Sequence, residues 1–172
     1  ISSSVLPEGK MHYNIAERIL QDTLGENHKM ISGYAKQVQE VLNKDAGIGL
    51  KAVEAPIHKT RIESLVNRLS NEEIFDEVSW VLNAPIVNFS QNVVDNHIKQ
   101  NADFHFKSGL KPKVVRTTTG KCCDWCDKIA GVYIYPKVDK NVFRRHDRCN
   151  CIVEYYPVEG KRQDVWSKQW KN

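Results

Sequence analysis

The sequence predicts an α+β fold: an N-terminal helical bundle followed by a small antiparallel β-sheet that carries a Cys/His cluster. Three observations predict it. Apolar residues recur at helical spacing through residues 12–107. Beyond Gly109, β-branched runs bounded by Gly and Pro replace that pattern. All five cysteines, together with His146, fall between Cys122 and Cys151. We divide the chain into a helical region, 1–109, and a small basic sheet domain with the Cys/His site, 110–172, and expect one compact unit.

His12–Leu24 carries Ile15, Ile19, Leu20 and Leu24, and Gly25 is placed to stop that helix. Met30–Leu42 carries Met30, Ile31, Tyr34, Val38, Val41 and Leu42 as a core-facing stripe. Gly47-Ile-Gly49 breaks the pattern, and Pro56 marks an irregular stretch. Thr60, with Glu63 three residues on, makes a capping box for a helix bearing Ile62, Leu65, Val66 and Leu69. Glu72–Leu82 reads as a further helix through Ile74, Phe75, Val78, Trp80 and Val81. Asn83 and Pro85 start the next, since proline is tolerated in a first turn. It runs to about Lys107, where Gly109 ends it.

Three strands follow: Lys113–Thr119, Gly131–Tyr135 closed by Pro136, and Cys151–Tyr156 closed by Pro157. Val142–Arg145 is a candidate short strand. The cysteines then lie at a turn between the first two strands and at the start of the last. Antiparallel pairing would bring those places together. A tail rich in Lys, Arg and Trp, Lys161–Asn172, closes the chain.

A length of 172 residues suits one domain, and a composition of 41% hydrophobic and 27% charged residues is that of a globular protein. No apolar run approaches the roughly 20 residues of a membrane span. The N-terminus lacks the basic and apolar regions of a signal peptide. It begins at Ile1 rather than Met, so we expect a piece of a larger protein. The net charge of +4 is uneven. Residues 1–106 carry 10 Lys/Arg against 14 Asp/Glu, and residues 107–172 carry 15 against 7. The basic third is a footprint for nucleic acid or an acidic partner, or simply a solvated surface.

The odd cysteine count argues against a secreted disulfide framework, and in a reducing cytoplasm the pattern points to a metal. Four-coordinate zinc takes thiolate and imidazole ligands, and a two-residue spacer lets one turn supply two of them. Cys123-x-x-Cys126 and His146-x-x-Cys149 form such a pair of pairs, with Cys122 and Cys151 as alternates. Disulfides and free structural thiols stay open. A redox reading of Cys123-Asp-Trp-Cys126 is weaker, because no βαβ pattern surrounds it.

His146 has a competing use. Arg144, Arg145 and Arg148 surround it in sequence, which disfavours its charged form. A neutral base beside cations is what metal-independent RNA cleavage needs. On that reading His146 is the base, Arg144, Arg145 and Lys121 bind phosphate, and Thr117, Thr119 and Tyr133 assist. Lys113, Arg116 and Arg148 would contact nucleic acid. The remaining histidines, at 12, 28, 58, 97 and 105, read as helix-surface or loop residues. Trp125, Tyr133, Tyr135, Phe143, Tyr155 and Tyr156 can stack bases, but fill a small sheet core more readily. Trp166 and Trp170, with Lys161, Arg162, Lys168 and Lys171, can dock on a partner or fold back on the sheet.

Taken together, Val115-Arg-Thr-Thr-Thr-Gly-Lys-Cys-Cys-Asp-Trp-Cys-Asp-Lys-Ile-Ala-Gly131, Tyr135-Pro136, Val142-Phe-Arg-Arg-His-Asp-Arg-Cys-Asn-Cys151 and Val153-Glu-Tyr155 resemble the C-terminal part of phage minor head proteins. The group is the Mu-F-like, or head morphogenesis, family of phages and prophages of Gram-positive bacteria. Cys123, Cys126, Ile129, Gly131, His146, Cys149 and Cys151 match its pattern. Gln163–Trp170, Val78–Leu82 and Pro85–Asn88 look like the same group, so the resemblance covers nearly the whole chain.

The resemblance implies a virion-assembly role, binding portal or capsid proteins, in the virion or the host bacterial cytoplasm, with structural zinc at the Cys/His site. Mu-F-like regions also occur in polymorphic toxins. Helices followed by a small sheet with His, Arg and Thr are similar in architecture to barnase-, colicin- and RelE-type ribonucleases. That implies a second reading, a metal-independent endoribonuclease whose partners are RNA and an immunity protein. We expect a structural role rather than an enzyme.

Overall fold

A computed structural model describes residues 1–120, 122–146 and 148–158, and the backbone of 161–163. Five α-helices and a four-stranded sheet are seen there, with four short 3-10 turns. The α+β order read from the sequence is the observed one.

Helix α1 spans Tyr13–Asp45, 33 residues without a break. Two helices separated at Gly25 are expected, so this is a correction. Two mid-helix glycines, Gly25 and Gly33, cost about 1 kcal/mol each relative to alanine. Packing overrides that cost. Ala16, Leu20, Leu24, Ser32, Ala35, Gln39 and Asn43 are all buried and recur at multiples of three or four residues. The stripe turns polar in its second half. Met30 and Val41, expected to face the core, are 69% and 58% exposed, and Tyr34 is exposed too. Ile31, Val38 and Leu42 do pack inward.

Helix α2, Lys59–Ser70, buries Ile62, Leu65, Val66 and Leu69 as expected. Its N-cap is His58, two residues earlier than the capping box at Thr60 requires. The helix expected over Glu72–Leu82 is shorter and divided: α3, Phe75–Val78, passes into a 3-10 turn, Ser79–Leu82. Helix α4, Ala84–Lys107, starts with proline in its first turn. It ends where Gly109 takes φ +91 and Leu110 N–H donates to the His105 carbonyl at 3.0 Å.

Strands β1 (Lys113–Thr117), β2 (Gly131–Ile134), β3 (Ile152–Val158) and β4 (Lys161–Gln163) form one antiparallel sheet in the order β2-β1-β3-β4. Pro157 does not close β3. It lies at the irregularity between Tyr155 and Val158, where a missing N–H is tolerated. The candidate strand Val142–Arg145 is instead the end of a 3-10 turn, Lys140–Phe143, held by Asp139, whose carboxylate accepts from Asn141 N–H at 2.7 Å. Helix α5, Asp124–Ile129, was not expected.

Two apolar cores result, and α4 belongs to both. Phe89 and Val93 join α1, α2 and α3, whereas Ile98 and Ala102 join Val114, Val153, Tyr155, Val142 and Phe143. The sheet therefore sits with one face on the second half of α4. Beside that contact is a buried polar layer. The Asn101 amide both accepts from Val53 N–H and donates to Val53 O, each at 2.8 Å, tying the loop after α1 to α4. His105 Nδ1 meets the Tyr155 hydroxyl, joining α4 to β3.

His97 and His105 are fully buried, contrary to the surface position expected of them. Burial pushes the His97 imidazole down to about 4, and the nearby Glu54 carboxylate opposes it only weakly. The unfolded chain binds this proton near pH 6.5, the folded chain near 4. The stability that neutral His97 contributes is complete above about pH 6.5 and is lost as pH falls toward about 4. We predict a slope approaching ~1.4 kcal/mol per pH unit across that window in urea unfolding. His97→Gln should flatten it, and an unchanged slope would refute the assignment.

Candidate metal centre

Strand pairing builds the site. Thr117 lies opposite Ile152, so the segments following β1 and preceding β3 leave the sheet side by side. The Thr119 hydroxyl donates to the Asn150 carbonyl at 2.6 Å and ties them together. Cys123 is the N-cap of α5 and Cys126 lies in its first turn, so the two-residue spacer aims both thiols to one side. The Cys126 amide holds the Cys123 thiol below its ordinary range, helped by that of Trp125. Across from them, Cys149 N–H donates to the His146 carbonyl at 3.2 Å, closing a turn in which Arg148 takes φ +58.

His146 Nε2 lies 3.0 Å from Cys126 Sγ and 3.3 Å from Cys123 Sγ. Cys126 Sγ lies 3.8 Å from Cys149 Sγ. Among the described residues, two groups have all their donor atoms within 4.8 Å of one another: Cys123, Cys126 and His146, and Cys122, Cys126 and Cys151. All five cysteines are free thiols, and Cys126, Cys149 and Cys151 are buried. The Cys/His residues are thus close enough to hold a metal ion.

The spacing can be compared with what an ion demands. Tetrahedral zinc, with Zn–S of about 2.3 Å and Zn–N of about 2.0–2.1 Å, has S···S edges near ~3.8 Å and S···N edges near ~3.6 Å. The Cys126–Cys149 separation of 3.8 Å equals the first, and the His146 separations of 3.0 and 3.3 Å are shorter than the second. Cys123, Cys126 and His146 lie close enough to share such an ion, and Cys149, 3.8 Å from Cys126 but outside that close group, is the candidate fourth ligand. Burial raises the Cys126 and Cys151 thiols, a cost that a bound cation would remove.

The basic residues divide into buried and exposed. Arg145, expected to bind phosphate, has a side chain 2% exposed and grips Asp95, which is 0% exposed. Its Nε and Nη2 each donate to one carboxylate oxygen, the latter at 3.0 Å, and Nη1 donates to the Cys149 carbonyl at 3.3 Å. Burial raises the Asp95 carboxyl, against the pull of Arg145.

Arg116, expected to contact nucleic acid, is 1% exposed. Strand alternation puts it on the inner face with Val114, opposite Val153. Its Nη1 donates to the Val142 and Arg144 carbonyls at 2.5 and 2.8 Å, and Nη2 to Cys149 Sγ at 3.5 Å. These two assignments are corrected: both guanidiniums are built into the fold around the cysteines.

Arg144 and Arg148 are exposed, as is Thr117. Lys113 lies over the Tyr156 ring at 4.5 Å. The His146 ring meets Trp125 edge-on, with centroids 5.6 Å apart. Lys121 and the side chains of the tail, including Lys161, Arg162, Trp166, Lys168, Trp170 and Lys171, lie outside the described residues. Asp95 was missed from sequence. Its signal was its place three residues before Ile98 and seven before Ala102, on the buried stripe of α4.

Compared with family models, curated proteins and solved structures, the chain has no significant match.

The Asp95–Arg145 pair generates a prediction. Asp95→Ala leaves a buried guanidinium uncompensated and should cost about 3–5 kcal/mol in chemical unfolding. Adding Arg145→Met to Asp95→Leu should recover much of that loss. If Asp95→Ala unfolds at the parental midpoint, the pair is not holding the loop.

Proposed function

We propose that this chain is a virion-assembly module of the Mu-F-like minor head type, whose sheet is pinned by a structural zinc ion. The observation that carries the zinc reading is the approach of His146 Nε2, from the segment before β3, to two thiols of the segment between β1 and β2. Soft thiolates with imidazole favour zinc among common cellular ions. The assembly role rests on the sequence resemblance. An exposed apolar sheet face, Val132, Ile134 and Ile152, suits a protein partner of that kind.

The geometry offers less support to a ribonuclease. Its proposed phosphate group Arg145 is committed to Asp95, and its proposed base His146 sits against thiols and an indole edge. A general base needs an open approach to its substrate.

Protein purified under reducing conditions should carry about one zinc per chain by elemental analysis. Chelation should lower the thermal midpoint and melt the sheet before the helices, because structural zinc contributes directly to folding. Zinc-free protein with paired cystines would sink the zinc reading. For the assembly role, the chain should co-purify with its cognate portal protein, and Ile134→Asp should weaken that capture while leaving the circular dichroism spectrum unchanged. No capture by portal or capsid protein would count decisively against it.

A further inference from the structure

Among the described residues, the buried charges around the cysteines do not balance. Two buried guanidiniums, Arg116 and Arg145, flank the cluster, and one buried carboxylate, Asp95, accompanies them. Arg145 takes both oxygens of that carboxylate. Arg116 is left with two backbone carbonyls and the Cys149 sulfur, its face toward the Trp125 ring at 5.5 Å. Among the described residues its Nε has no hydrogen-bond partner. Neutral acceptors do not offset a buried cation, and burying one without an anion costs several kcal/mol. The group placed to supply the anion is the one its Nη2 touches.

We infer that Arg116 is the outer-shell charge partner of the metal centre, and that it selects Cys149, with Cys123, Cys126 and His146, as the ligand set. Three thiolates and a neutral imidazole around a divalent ion carry one net negative charge, which the Arg116 guanidinium offsets. Four thiolates would carry two. An N–H donor on a ligating sulfur is a common outer-shell device, which orients the ligand and stabilises its charge. Cys122 and Cys151, which form the other close group with Cys126, are then left outside the set. Arg116 is a positioning residue and bonds to no metal. The inference rests on the reading of the cluster as a metal centre.

The experiment is titration of the reduced chain with cobalt(II), followed by competition for zinc with a chromophoric chelator. The parent should show d–d bands of tetrahedral cobalt and a sulfur-to-metal charge-transfer intensity corresponding to three thiolates. Arg116→Met should lower metal affinity by roughly 10–100-fold, and Arg116→Lys should restore part of it. Cys149→Ser should lose tight binding, whereas Cys151→Ser should keep it with an unchanged spectrum. Parental affinity in Arg116→Met would overturn the inference while zinc binding itself stands. So would loss of binding in Cys151→Ser with retention in Cys149→Ser, a comparison that decides the matter even if Arg116→Met fails to fold. A parent that binds neither metal overturns the metal reading and this inference together.

Discussion

One buried ion pair joins the two halves of the molecule. Asp95 projects from α4, the helix shared by both cores, and Arg145 comes from the loop that also carries His146 and Cys149. Bidentate pairing fixes the guanidinium plane, and the same guanidinium reaches the Cys149 carbonyl. The loop that supplies half of the candidate ligands is therefore hung on the helical bundle, and the sheet alone does not determine its path. Arg116 does the corresponding work from β1, holding the carbonyls of Val142 and Arg144 on either side of Phe143.

This explains how a small sheet can support a precise cluster. Strands of three to seven residues give little independent stability. Here one face of the sheet rests on α4, and the ends of β1 and β3 diverge into segments tied by Thr119, by the two arginines and by the thiols themselves. The site is a crosslink between segments that the sheet brings close but does not lock. A metal held there would stabilise the local fold.

The same arrangement divides the basic residues. Cations that look, along the chain, like a phosphate-binding cluster are split by the fold into buried structural groups and scattered exposed ones. An apolar outer sheet face and the Met30, Tyr34 and Val41 face of α1 also reach solvent. Exposed apolar patches of this kind mark interaction surfaces in many proteins.

Local chemistry was legible in the sequence. Proline at Pro85 and glycine at Gly109 bounded α4, β-branched runs marked β1, β2 and β3, and the cysteine spacings marked the site. Each depends on residues within a turn or two of one another. Tertiary structure alone decided the rest. Helix α1 runs through two glycines because packing pays their cost, and its buried stripe is partly polar because loop backbone and histidine from α4 meet it there. Arg145, read as a free cation, is neutralised by a carboxylate 50 residues away. His97 and His105 are inside because α4 is covered on both sides. Spacing along the chain records which residues share a face; it does not record which distant group will meet that face. The fate of a buried charge depends on that distant group.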